Sequence, residues 1–248
     1  MIRADKNYNG VIDELVNGSW ISPSDNQQYG IPIKNIEIRE SLDGKETDLI
    51  KDLHSNQKLL VVSDPFTHKA MGSRIFKNLK GHLNVDEYIW EHPSSSIKGV
   101  EFLRSKLKDY DGMIAVGSGT VSDSIKYATF LEGKVYSVFA TTPMNAYTTG
   151  TASISFDGVK KSLVAHYAQG VFFDLEVLSN CPKRLTAAAF ADVICRTTAQ
   201  VDWLMSHKLL NTDYTTTPYE LLALYEMDMI NNASDIAAGK IDSLALLT

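Results

Sequence analysis

Apolar positions along the chain follow two rhythms, and the change falls near residue 178. Before it, short continuous apolar runs alternate with stretches of helical period. The runs predict strands over 36–38, 58–64, 85–90, 113–116, 135–139 and 171–174, and the periodic stretches predict helices over 45–54, 68–79, 97–107 and 121–130. Leu59-Leu60-Val61-Val62 and Met113-Ile114-Ala115-Val116 carry no polar alternation, the pattern of strands covered on both faces. Strand–helix alternation of this kind implies a mostly parallel sheet with right-handed crossovers. The two sides of Asp157-Gly158 do alternate, which predicts a hairpin over 153–163.

The flanks read differently. Residues 1–30 are polar and irregular apart from a short helix over 11–16, and suggest an extension packed outside the fold. After Ser179 the pattern is helical, with Pro182 in the first turn of one long helix running to about residue 209, a second helix over 219–233, and a final apolar stretch, 243–248, that stops mid-pattern. The expected organisation is an α/β unit over 1–178, with a parallel sheet and an N-terminal extension, followed by the start of an all-α unit over 179–248. The apolar faces of 219–233 and 244–247 are expected to lack partners and to favour association.

Composition narrows the classes. An apolar fraction of 44%, a charged fraction of 22% and a formal charge of −6 describe a globular protein without the basic stripe of a nucleic-acid surface. Residues 1–6 have no apolar leader and no run approaches membrane-spanning length, so the expected location is the cytoplasm, with no membrane partner. Cys181 and Cys195 are too far apart for a CxxC motif and read as small core residues.

Ligands of open parallel sheets bind at the carboxyl ends of the strands. Three strand ends carry suggestive residues: Asp64, Gly117-Ser118-Gly119, and Ala140-Thr141-Thr142-Pro143. A strand running through glycines into a helix start offers free N–H groups to a phosphate, although the spacing here is not GxGxxG. Asp64 can accept from ribose hydroxyls or cap the next helix, and both readings stand. Asp192 lies within Ala189-Phe190-Ala191-Asp192-Val193-Ile194-Cys195, where an acid is costly unless paired. It pairs with Arg196 at i,i+4 or it serves a metal or a substrate hydroxyl. His207, fifteen residues on, would be more than about 20 Å away along a straight helix, and His68, His92 and His166 form no ligand spacing.

Together, residues 117–126, 142–149 and 187–192, with Asp202-Trp203-Leu204-Met205-Ser206-His207, resemble the glycerol-1-phosphate dehydrogenase group of the iron-containing alcohol dehydrogenase and dehydroquinate synthase superfamily. The resemblance implies a Rossmann-like domain for NAD or NADP and a helical domain for a divalent metal (zinc, iron or nickel). It places the pyrophosphate at Gly117, Ser118, Gly119, Thr120 and Val121, and Asp123 at the nicotinamide and substrate end. Thr141, Thr142 and Thr149 would lie on the nicotinamide side, and Asn145 where many members carry a substrate-binding Asp. Asp192 would be the catalytic aspartate that ligates metal and touches substrate, a polyol phosphate interconverted with its ketone. A homodimer is implied. The family takes two metal-binding histidines from a region beyond this chain's last residue. The resemblance therefore describes a truncated chain in which metal is expected to be absent, with a non-catalytic nucleotide-binding remnant as the alternative.

Overall fold

A computed structural model describes residues 10–248; residues 1–6, read above for a leader, lie outside the described residues. Six strands form one parallel sheet: β3 (Asn35–Arg39), β4 (Leu59–Ser63), β5 (Val85–Ile89), β6 (Gly112–Gly117), β7 (Val135–Ala140) and β10 (Gly170–Asp174). Their order in space is β3-β10-β7-β6-β4-β5. From β4 the chain steps outward to β5, then crosses back to β6 and continues the other way. The direction of winding thus reverses between β4 and β6, and such a reversal opens a crevice at the strands' carboxyl ends. Two further ladders are antiparallel: β1 (Trp20–Ile21) with β2 (Gln28–Tyr29), and β8 (Thr151–Phe156) with β9 (Val159–Val164).

The continuous apolar runs conceal a period of two. Leu60, Val62, Met113, Ala115 and Val138 face one core cluster, while Leu59, Val61, Ile114, Val116 and Phe139 face another. The first is closed by α5 (Ile97–Leu107) and α6 (Gly119–Leu131), the second by α2 (Glu46–His54) and α4 (Ser73–Lys80). Burial on both faces explains why no polar alternation shows in the sequence. At the hairpin, Asp157 and Gly158 both take positive φ, 47° and 83°, as a two-residue turn with the strands' own twist requires.

The N-terminal extension is α1 (Val11–Val16) followed by the β1–β2 ladder. It reaches the far end of the chain, where Ser22 Oγ donates to Glu220 Oε2 at 2.9 Å. The predicted helix over 68–79 begins with one π turn, His68–Gly72, after the short α3 (Pro65–Thr67).

The helical segment departs most from expectation. The single helix after Pro182 is divided at Cys195 into α8 (Lys183–Ile194) and α9 (Arg196–Leu210). Around the break the hydroxyls of Thr197 and Thr198 bond back to the carbonyls of Ile194 and Cys195, at 3.2 and 2.6 Å, and compete with the helix ladder. The helix expected over 219–233 is three pieces: α10 (Thr217–Ala223), α11 (Glu226–Asn231) and α12 (Ala233–Ala237). Asn232 opens the last break, its amide donating to Asp228 O at 2.7 Å. Residues 244–247 are not left bare: Leu244 and Leu247 are buried beside α7 (Leu175–Ser179), while α9–α11 keep exposed apolar side chains such as Met205, Leu209 and Met227. Cys181 is half-buried and Cys195 exposed, so neither is a core residue. No described helix is long and apolar enough to cross a membrane.

Two half-buried or buried histidines are expected to make the fold acid-sensitive. His54 bridges Gln57 and Ser137, and His166 lies against Tyr136 with Nε2 at 2.9 Å from Thr129 Oγ1. Burial holds both below the ordinary histidine value. A lowered folded value means that the unfolded chain binds the proton first. Stability is therefore full above about pH 6.5 and falls as pH drops through that value, by at most about 1.4 kcal/mol per pH unit per histidine. Urea melts between pH 7.5 and 5.5 should show this loss, and His166→Gln should reduce it.

Candidate nucleotide cleft

A cleft of about 580 Å³ lies over the winding reversal. Its floor comes from four consecutive strand ends: Asp64 after β4, Ser118 after β6, Thr141 and Thr142 after β7, and Glu176 after β10. Its lining also includes Phe66, from α3, and Pro182 and Leu185 at the start of α8.

The glycine turn is built by two different needs. Gly117 ends β6, and a Cβ there would fall 2.9 Å from Val121 Cβ, so close packing of α6 on its own strand excludes any side chain. Gly119 is not required in that way. A Cβ at Gly119 would meet only Met144, at 3.9 Å. It begins the 13-residue α6, whose N-cap, Ser118, makes no side-chain capping hydrogen bond. The first N–H groups of a helix have no intrahelical partner, and here the positive end of the helix dipole opens beside the cleft. Gly119 and the uncapped helix start fit an anion that approaches the backbone closely.

Asp64 serves as a cap. Its Oδ1 accepts from the N–H groups of Phe66 and Thr67 at 2.8 and 2.9 Å, and Thr67 Oγ1 accepts from the Asp64 N–H in return. This capping box uses one carboxylate oxygen and fixes the side chain in the cleft wall, so Oδ2 remains for a ligand hydroxyl. Capping and ribose binding are compatible.

Of the other predicted residues, Val121 is buried under the turn and Thr120 lies in the first turn of α6. Asn145 and Thr149 are exposed, the first on a 3-10 turn, Asn145–Thr148, and the second at its C-cap. Asp123 is not a free ligand: its Oδ2 accepts from Ser153 N at 3.1 Å and its Oδ1 lies 3.5 Å from Lys126 Nζ. Burial raises its carboxyl above the ordinary value.

Asp192 is exposed, contrary to the expectation of a buried acid, because α8 turns that face to solvent. Nor does it pair with Arg196, whose guanidinium lies 2.7 Å from Glu226. Among the described residues no group of three or more His, Cys, Asp and Glu could hold a metal ion. His207 lies against Tyr214, its Nδ1 2.6 Å from Thr212 O. The donor set around Asp192 thus does not fit a catalytic zinc, which takes three protein ligands.

Sequence reasoning missed Phe66 and Arg74. Phe66 lines the cleft and is 86% exposed, an unusual state for a phenyl ring that only the structure shows. Arg74 also lines the cleft, ion-paired to Glu46 and Asp174, both fully buried.

Comparison with known proteins covers most of the residues that line this cleft. The family model described as iron-containing alcohol dehydrogenase matches residues 37–182, from the first strand of the large sheet to the start of α8. The protein of Pyrococcus horikoshii named glycerol-1-phosphate dehydrogenase [NAD(P)+] is 31% identical over 85% of this chain and 61% of its own length. The protein of the same name from Geobacillus thermodenitrificans is 28% identical over 77% of this chain and 49% of its own. The chain thus spans about half to three-fifths of the curated relatives it matches. The fold also matches a solved alcohol dehydrogenase from an archaeal, halo-thermophilic Red Sea brine-pool source, with a TM-score of 0.72 and 13% identity over 88% of this chain and 62% of that one. A match that runs through the glycine turn and the other strand ends around the cleft makes this chain a member of the iron-containing alcohol dehydrogenase family.

Proposed function

We propose that residues 1–178 bind NAD(H) in this cleft as the nucleotide half of an oxidoreductase that interconverts glycerol 1-phosphate, or a related polyol phosphate, with dihydroxyacetone phosphate. Residues 179–248 begin the helical unit that closes the site. The observation that carries the reading is the uncapped start of α6, whose N-cap Ser118 lines the same cleft as Asp64. The relatives named glycerol-1-phosphate dehydrogenase [NAD(P)+] support the reaction class.

In this reading the N–H groups of Gly119, Thr120 and Val121 receive the pyrophosphate, and Ser118 flanks it. Asp64 Oδ2 accepts from a ribose hydroxyl, and its charge disfavours a 2′-phosphate, which argues for NAD over NADP. Phe66, with Pro182 and Leu185, offers an apolar slot for the adenine. Thr141 and Thr142 border the nicotinamide side. When bound, NAD supplies the hydride acceptor, and the chain's own groups hold it and exclude water. No step is assigned to a metal, because the residues around Asp192 do not form its site. A second reading, a chain that binds nucleotide without turning substrate over, uses the same cleft.

Calorimetric titration with NAD+ tests the shared element of both readings, and saturable one-site binding is expected. Phe66→Ala should weaken it about tenfold, the scale of one lost base–aromatic stack. Because Phe66 is exposed, folding stability should stay within about 0.5 kcal/mol. Absence of NAD+ binding by the unaltered chain would reject the assignment.

A further inference from the structure

We propose that Lys126 is a positioning residue, whose ammonium fastens the loop after β7 to α6 so that its threonines border the nicotinamide side of the cleft. The inference rests on the nucleotide reading above. Lys126 is fully buried, which lysine seldom is unless paired. Its ammonium makes three hydrogen bonds: to Ala146 O at 2.9 Å, Thr149 Oγ1 at 3.2 Å and Thr151 O at 2.9 Å. An ammonium has three donors, so all are used on one short segment.

Two neighbours complete the clasp. Asp123, one turn earlier on α6, accepts from Ser153 N just beyond that segment. Tyr147 is fully buried inside it, its hydroxyl 2.6 Å from Thr142 Oγ1 and donating to Gly117 O at 3.0 Å. Gly117 O also receives the Thr141 N–H at 3.4 Å. The loop is therefore tied to the glycine turn where it leaves the cleft, and to Lys126 where it enters the hairpin.

Stability does not explain this choice of residues. Burial pushes the Lys126 amine down and the Asp123 carboxyl up, so each charge is disfavoured where it stands. A buried ion pair commonly contributes no more than well-packed apolar side chains of the same volume. What the ammonium supplies is direction, since one cation organises backbone carbonyls that an apolar side chain would leave unpaired.

The test compares NAD+ with ADP-ribose, which shares every part of the cofactor except the nicotinamide. Calorimetry on the whole chain should show that Lys126→Met lowers NAD+ affinity about tenfold and leaves ADP-ribose within about twofold of the unaltered chain. Tyr147→Phe, which removes one hydroxyl and preserves the packing, should shift the same ratio by a smaller factor, and it decides the matter if Lys126→Met does not fold. Equal losses for the two ligands, or no loss for either, in a folded variant would overturn the positioning role. Failure of the unaltered chain to bind either ligand would overturn the nucleotide reading and this inference with it. Binding of ADP-ribose and NAD+ by the unaltered chain, with neither variant altering their ratio, would overturn only this one.

Discussion

Gly119→Asp should reduce NAD+ affinity by tenfold to roughly a hundredfold without unfolding the chain. The two halves of that expectation come from separate observations. A Cβ at Gly119 meets nothing nearer than Met144 at 3.9 Å, so the fold has room for a side chain. Gly119 is also the first residue of α6, where a carboxylate interacts favourably with the helix dipole, so stability should hold or rise slightly. With a pyrophosphate at the same helix start, the new carboxylate would displace the phosphate and repel it. Two unit charges 4 Å apart repel by roughly 4 kcal/mol at an effective dielectric of 20. Screening in an open cleft reduces this to about 1.4–2.7 kcal/mol, the stated range in affinity. The measurement is calorimetry with NAD+ beside a urea melt. Unchanged affinity would remove the pyrophosphate from the glycine turn.

Arg74→Met should be the most destabilising single change at the cleft, by about 3–5 kcal/mol. Arg74 Nε lies 2.9 Å from Glu46 Oε1 and Nη2 lies 2.5 Å from Asp174 Oδ2, and both carboxylates are fully buried. The remaining contacts of these acids do not replace the cation. Asn78 donates to Glu46, and the Leu42 and Val177 N–H groups donate to Asp174, but none carries charge. Removing the guanidinium leaves two uncompensated anions in the interior, where ionised groups are costly. The denaturation midpoint in urea should fall sharply, and Arg74→Lys should recover part of the loss, since an ammonium restores charge without the fork that spans two carboxylates. A midpoint unchanged in Arg74→Met would mean that solvent, not Arg74, balances the pair.

Much of the cleft could be read from the chain because it depends on local pattern. Apolar runs bounded by Asp64, by Gly117-Ser118-Gly119 and by Thr141-Thr142 mark strand ends, and in a parallel sheet strand ends gather on one side. The Asp157-Gly158 turn needs only two residues able to take positive φ. Strand limits, the parallel sheet and the position of the glycine turn follow from such short-range rules.

Tertiary structure decided the rest, because each remaining feature depends on partners distant in sequence. Asp192 sits in an apolar string yet faces solvent, since what α8 packs against determines which face is inside. Lys126 reads in sequence as an ordinary polar position on a helix. It becomes a buried clasp only because the loop over 146–151 folds back onto α6. Arg74, Glu46 and Asp174 come from three separate elements that meet under the cleft only when the sheet has formed. The breaks at Cys195 and Asn232 escaped the helical pattern because hydrophobic period reports the face to be buried, not the side chains that compete for backbone carbonyls. Periodicity along the chain could place the elements and the cleft, but which polar groups were buried, paired or left to solvent was set by contacts between them.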